Sequence, residues 1–203
     1  MMIFALLLSL VVGWILRGSI RNLASLELRR FELMLAGFAI QMLLSRAPAL
    51  GWEFLIYWGF PLLVASYVIL LFVLWENRHL PGMSLISAGA ACNLAVIACN
   101  GGMPVSRAAL AVTGQEGLVP VLESGTSVIH VLMSQDTVLA FLGDNIPTPG
   151  WFPLRTVVSP GDLIMMLGIL WLVPRAMLGP AVKKELSHGG QETETDQVED
   201  PGA

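Results

Sequence analysis

The sequence predicts an all-α fold: a polytopic membrane helix bundle with about five transmembrane helices. Three observations predict it. Hydrophobic residues make up 55% of the chain and charged residues only 13%, where a soluble domain carries about 25% charged. The charges are clumped, which leaves long apolar runs between them. Lys and Arg also gather on alternate segments between those runs, as expected of loops that face opposite sides of a membrane.

The first span, 1–16, carries no charged side chain, and its basic residues follow it at Arg17, Arg21, Arg29 and Arg30. A cleaved signal peptide has a basic start and a small-residue cleavage site, so the segment reads as a retained anchor. The second, 31–44, is short and contains Glu32 and Gln41. It works as a span if Arg29, Arg30 and Glu32 snorkel to the headgroups. The third, 54–75, has no charge and places Tyr57, Trp58 and Trp75 at its ends as interfacial anchors.

The fourth, 82–99, is built of small residues, with Ser84, Ala88 and Cys92 recurring every fourth position. That spacing lets helix backbones approach in lipid, so this span is expected at the centre of the bundle, with Asn93 finding a polar partner there. Cys92 and Cys99 lie about 10 Å apart along one helix, too far for a disulfide, and read as two small buried residues. The fifth span is 162–178. These five make up an integral membrane domain, 1–182.

Eight basic residues then fall on one side, in 17–30, 76–81 and the carboxy-terminal segment, against Arg46, Arg107 and Arg155 on the other. The bias places the amino terminus and the 100–161 loop outside, and the tail 183–203 in the cytoplasm. The tail holds six acids and two lysines and carries the whole net charge of −4. Its composition predicts disorder. No basic cluster suggests nucleic acid. The expected partners are the lipid bilayer and a membrane protein or lipopeptide, and the expected location is the bacterial plasma membrane.

The outer loop is too long for a plain connector. It opens on the turn-like "NGGMPV" from Asn100 and closes on a Pro- and Gly-rich stretch with Trp151 and Phe152. Val128–Leu142 contains His130, Gln135 and Asp136, which are costly in a span. On a helical wheel its polar and apolar residues separate, which predicts an amphipathic interfacial helix.

Two carboxylates stand out, Asp144 and Asp162. Ser159-Pro160-Gly161-Asp162 reads as a helix start, with Ser159 as N-cap, Pro160 first in the helix and Asp162 three beyond the cap. Gly143-Asp144 reads as a helix stop and turn. A cap residue can also be catalytic. Two carboxylates close together share one proton, so that the ionised one takes a proton from water while the protonated one donates to a carbonyl under attack. His130, Asn100, Ser159 and Asn93 are the supporting polar candidates. His130 with both aspartates offers three metal-binding groups, but no paired His spacing supports a metal, and no cofactor is implied.

Leu142 to Leu172 resembles the last part of signal peptidase II, the lipoprotein signal peptidase. "WFPLRTVVSPGDLIMMLGI" matches that family's aromatic loop followed by an Asp opening the final helix. The resemblance implies Asp144 and Asp162 as an aspartyl dyad. Ser159 stands where that family has Asn, and its Asp-Arg element has no counterpart. Nearly the whole chain is similar to an uncharacterised bacterial family of small multi-pass membrane proteins. The short first span with its arginines, "NGGMPV", His130, "LGDNIP" and "VVSPGD" carry this likeness. It implies location and topology without an activity. The leading reading is a five-span plasma-membrane protein with a structured outer loop and no assignable reaction; within it three functions are alternatives: an aspartyl peptidase-like enzyme, an assembly or interaction subunit, and a transporter. Asn93 and Gln41 alone are thin support for the last.

Overall fold

The computed structural model describes residues 2–188, with side chains to residue 179. Four helices are long and apolar enough to cross a membrane: α3 (Phe31–Leu50), α5 (Gly59–Glu76), α6 (Met83–Asn100) and the Pro160–Gly179 part of α9 (Pro160–His188). A shorter apolar helix, α1 (Met2–Ile15), precedes them. The chain is thus a polytopic helical bundle. Short helices α2 (Ile20–Ala24) and α4 (Glu53–Tyr57) turn the chain between spans.

Neighbours in the bundle run α1, α9, α6, α5, α3. The α6–α9 contact is set by glycine. A Cβ at Gly89 would overlap the Gly161 carbonyl, and one at Gly82 the Gly168 carbonyl. The backbones therefore touch where lipid supplies no hydrophobic drive for association, and van der Waals packing is what holds the helices. The expected Ser84–Ala88 stripe is not this contact: both residues are exposed. Cys99 is also exposed and Cys92 half-buried, correcting the expectation that both are buried. α6 itself is central, flanked by α9 and α5.

Three boundaries differ from expectation. α3 runs six residues past Leu44, with Pro48 in its last turn, and stops at Gly51 in the left-handed region (φ 64°). The third span is broken at Trp58, where α4 gives way to α5. α9 is interrupted at Gly179 (φ 65°, ψ 177°) and resumes to His188, so the first residues of the expected disordered tail are helical. Residues 189–203 of that tail lie outside the described residues.

Each end of the bundle is tied by side chains. At one end the Ser19 N–H and the Asn22 amide both donate to the Met177 carbonyl at 2.8 Å, satisfying α9 just before its break. At the same end Asn77, fully buried, clamps the Arg29 backbone from both sides: it accepts from the N–H and donates to the carbonyl, each at 2.9 Å.

The 101–159 segment covers the opposite end. Phe152 packs edge-on against Phe4 of α1 at 4.5 Å. Val128, Ile129, Leu139 and Leu142 pack onto Leu44, Leu63, Val96 and Ile97 of α3, α5 and α6. The loop and the start of α1 therefore share one side of the bundle.

Val128–Leu142 is not an amphipathic helix. It holds strand β2 (His130–Leu132), which pairs in parallel with β1 (Met103–Val105), then a turn and a 3-10 turn at Ala140–Leu142. Local bonds win over the helix: Ser127 Oγ accepts from the His130 N–H, Thr137 Oγ1 from the Ser134 N–H and Ser134 Oγ from the Asp136 N–H. The β-branched Val128, Ile129 and Val131 suit the strand. Helices α7 (Arg107–Thr113) and α8 (Val119–Glu123) and the two-residue strands β3 (Ile146–Pro147) and β4 (Val157–Val158), paired antiparallel, complete the loop.

Candidate functional site

Asp162 sits where the sequence places it. Its N–H donates to Ser159 Oγ at 3.0 Å, and the Ser159 N–H donates back to Asp162 Oδ2 at 3.3 Å. This reciprocal cap opens α9. The same two residues reach across to α6. The Asn93 amide donates to Asp162 Oδ1 at 2.9 Å, and the Ser159 hydroxyl donates to Asn93 Oδ1 at 2.9 Å. Asn93 and Ser159 are buried, and the network closes because each acceptor has a donor. Gly161 makes it possible: a Cβ there would overlap Asn93 Oδ1.

Asp144 is positioned by backbone pairing. Its N–H donates to the Pro104 carbonyl at 2.8 Å and its carbonyl accepts from the Ser106 N–H at 2.9 Å, extending β1 on the edge away from β2. Pro104 has no N–H, so its carbonyl alone serves this rung. Gly143 permits the approach, since a Cβ there would lie 2.7 Å from the Pro104 carbonyl. The Asp144 side chain is buried, and its Oδ1 has no hydrogen-bond partner among the described residues. Oδ2 lies 3.8 Å from His130 Nε2, too far for a hydrogen bond.

The electrostatics follow from burial. Loss of hydration pushes the Asp144 carboxyl up to about 7, and the charge of Asp162 adds to the rise. Burial lowers the pKa of His130, which Asp162 partly opposes. The imidazole is crowded by protein, yet 46% of its side-chain surface stays open, so desolvation acts on a ring that still reaches solvent. Both groups are biased toward their neutral forms. No hydrogen bond joins Asp144 to Asp162 among the described residues, but the charge of Asp162 reaches both Asp144 and His130.

The sequence candidates thus fall into two sets. Asn93, Ser159 and Asp162 form one network; Asp144 and His130 form the adjoining pair. Asn100 belongs to neither. Its amide donates to the Val96 and Val138 carbonyls and its Oδ1 accepts from the Val138 N–H, so it ties the end of α6 to the loop. Sequence reasoning missed Tyr67, whose hydroxyl faces Asn93 within reach of both aspartate charges. The available signal was a tyrosine in mid-span, away from the interfacial positions this residue favours. Among the described residues no three His, Cys, Asp or Glu side chains converge as metal ligands.

A helical bundle of membrane-spanning length, capped at one end by a small mixed loop domain that buries an aspartate beside a histidine, defines the class of protein. The chain belongs to a family of unknown function (DUF5317), which it matches over residues 25–174. It is 29% identical over 171 residues to an uncharacterized protein of Thermotoga maritima, a match covering 83% of this chain and 88% of that one. No solved structure matches the chain.

Proposed function

We propose that this is a multi-pass protein of the bacterial plasma membrane, with 101–159 facing outside, and that Asp144 and Asp162 perform acid–base chemistry of the aspartyl peptidase kind at its outer mouth. The observation that carries the reading is Asp144: a buried carboxyl with one unpartnered oxygen, held near neutrality. A general acid works best with a pKa near the working pH. Asp144 donates to the carbonyl oxygen under attack. Asp162, fixed by Asn93 and Ser159, takes the proton from the attacking water; as the resulting diol collapses the C–N bond breaks, the amine leaves with the proton held by Asp162, and Asp144 recovers its own from the diol. His130 lies beside Asp144, with Nε2 3.8 Å from Oδ2.

The test compares cells making wild type, Asp144→Asn or Asp162→Asn in a background without the native copy, with the amino termini of membrane proteins read by mass spectrometry. Loss of the same termini in both variants, at equal membrane insertion, is expected. Identical termini in all three strains would rule the reading out.

A second reading, an assembly subunit, draws on the exposed face of α6. Ser84, Ala88, Ala91 and Ala95 lie there uncovered, and small-residue faces suit helix–helix contact in lipid. Crosslinking from Ala88→Cys that captures a specific membrane protein in cells supports it; recovery of uncrosslinked chain alone counts against it.

A further inference from the structure

A cavity of about 310 Å³ opens among α7, α8, β2 and β4. Leu110, Leu118, Val121 and Val157 are among its aliphatic walls, and Asp144 and His130 contribute polar lining. None of the lining residues is Lys or Arg. We propose that this cavity seats an aliphatic group carrying an uncharged amide, as in an apolar peptide side chain with its backbone amide, and that the amide pairs with the Asp144 carboxyl. The proposal rests on the acid–base reading above and names the substrate class for it.

Three features select this ligand. At roughly 30 Å³ per water, the space holds on the order of ten non-hydrogen atoms, the size of one apolar residue. Asp144 lines the cavity with a side chain that is 12% exposed, and its Oδ1, closed off from solvent, has no partner among the described residues, so a ligand donor at the carboxyl meets a group whose hydrogen bonding the protein leaves incomplete. The walls penalise a charged ligand, which would lose its hydration with no fixed cation beside it. The N–H and C=O of one extended residue share an edge and offer one donor and one acceptor, which is what a carboxylic acid presents in return. Burial of Asp144, which favours its neutral form, agrees with an uncharged ligand.

The full chain in lipid nanodiscs, with Leu and Val methyls isotopically labelled, provides the test. N-acetyl-leucine methylamide is titrated and methyl NMR shifts are followed. Saturable shifts centred on Leu110, Leu118, Val121 and Val157 are expected. Isoamylammonium and 1-hexanol should bind at least about tenfold more weakly, the scale of one good hydrogen bond. Val121→Trp, at a half-exposed wall position, should abolish the shifts. Asp144→Asn keeps a donor and an acceptor and should retain binding while losing cleavage; Asp144→Leu should lose binding. Absence of saturable shifts, equal binding of 1-hexanol, or unaltered binding in Val121→Trp overturns the assignment. If binding fails while Asp144-dependent cleavage persists, only the seat is wrong. If binding holds while the amino termini never change, the acid–base reading falls and the seat stands.

Discussion

The Asn93 amide donates to the Asp162 carboxylate at 2.9 Å across the α6–α9 interface, joining a mid-bundle helix to the helix that opens beneath the loop. Asn93 also accepts from Ser159, so one side chain serves both residues of the α9 cap. Asn93→Leu leaves the Asp162 oxygen and the Ser159 hydroxyl without these partners. A destabilisation of about 1–3 kcal/mol is expected, measured by denaturant titration in micelles. A neutral effect would show that the network contributes nothing net.

The glycines of this interface provide a sharper contrast. Gly161→Ala drives a methyl into Asn93 Oδ1, and Gly89→Ala drives one into the Gly161 carbonyl. Each is expected to cost about 1–3 kcal/mol, although alanine favours helices. Gly117→Ala meets nothing within 4 Å and should stay within about 0.5 kcal/mol of wild type. Equal stability of all three variants would contradict the close crossing.

Asp144 makes stability depend on pH. Its folded pKa is about 7, above its ordinary 3.8. The folded state therefore holds the proton more tightly than the unfolded chain. This favours folding fully below pH 4, and the advantage is lost as pH rises through 7, a change on the order of 4 kcal/mol. Asp144→Asn removes that dependence. The wild-type-minus-variant stability should fall between pH 4 and 8, isolating Asp144 from His130, whose lowered pKa acts oppositely as pH falls below 6.5. Infrared difference spectra should show a protonated carboxyl band that disappears with a midpoint near pH 7 and is absent in Asp144→Asn. A midpoint near 4 would refute the buried-carboxyl account.

The Asn77 clamp on Arg29 predicts protease sensitivity. Asn77→Ala frees the Arg29 N–H and carbonyl and should expose the Arg29-Arg30 bonds to trypsin, raising the cleavage rate about tenfold or more through local opening. Unchanged cleavage would mean that the segment is held by other contacts.

Topology has a direct check. In a variant lacking Cys92 and Cys99, an impermeant thiol reagent on intact cells should label Gln115→Cys and miss Ser187→Cys. The reverse pattern would invert the orientation and place the Asp144 site inside the cell.

Most of 54–75, from Gly59 on, and 82–99 were legible as spans because lipid demands length and apolarity, and both can be counted along a chain. The Ser159–Pro160–Asp162 helix start was legible for a similar reason: a cap is local, made within four residues. Lys and Arg bias likewise gave an orientation to test. The sequence of 128–142 misled because a polar and an apolar side on a wheel do not reveal a partner strand. β1 lies twenty-seven residues upstream of β2, and only the folded chain brings it alongside. Tertiary structure also decided the α6 face. Ser84 and Ala88 satisfied the small-residue pattern, yet backbone contact requires both helices to lack side chains at one point, and that point is Gly89 against Gly161. The Asp144–His130 pair depends on β-pairing on both edges of β1, so its near-neutral carboxyl follows from burial that no spacing rule encodes. Local chemistry fixed the elements; desolvation and long-range pairing made the site.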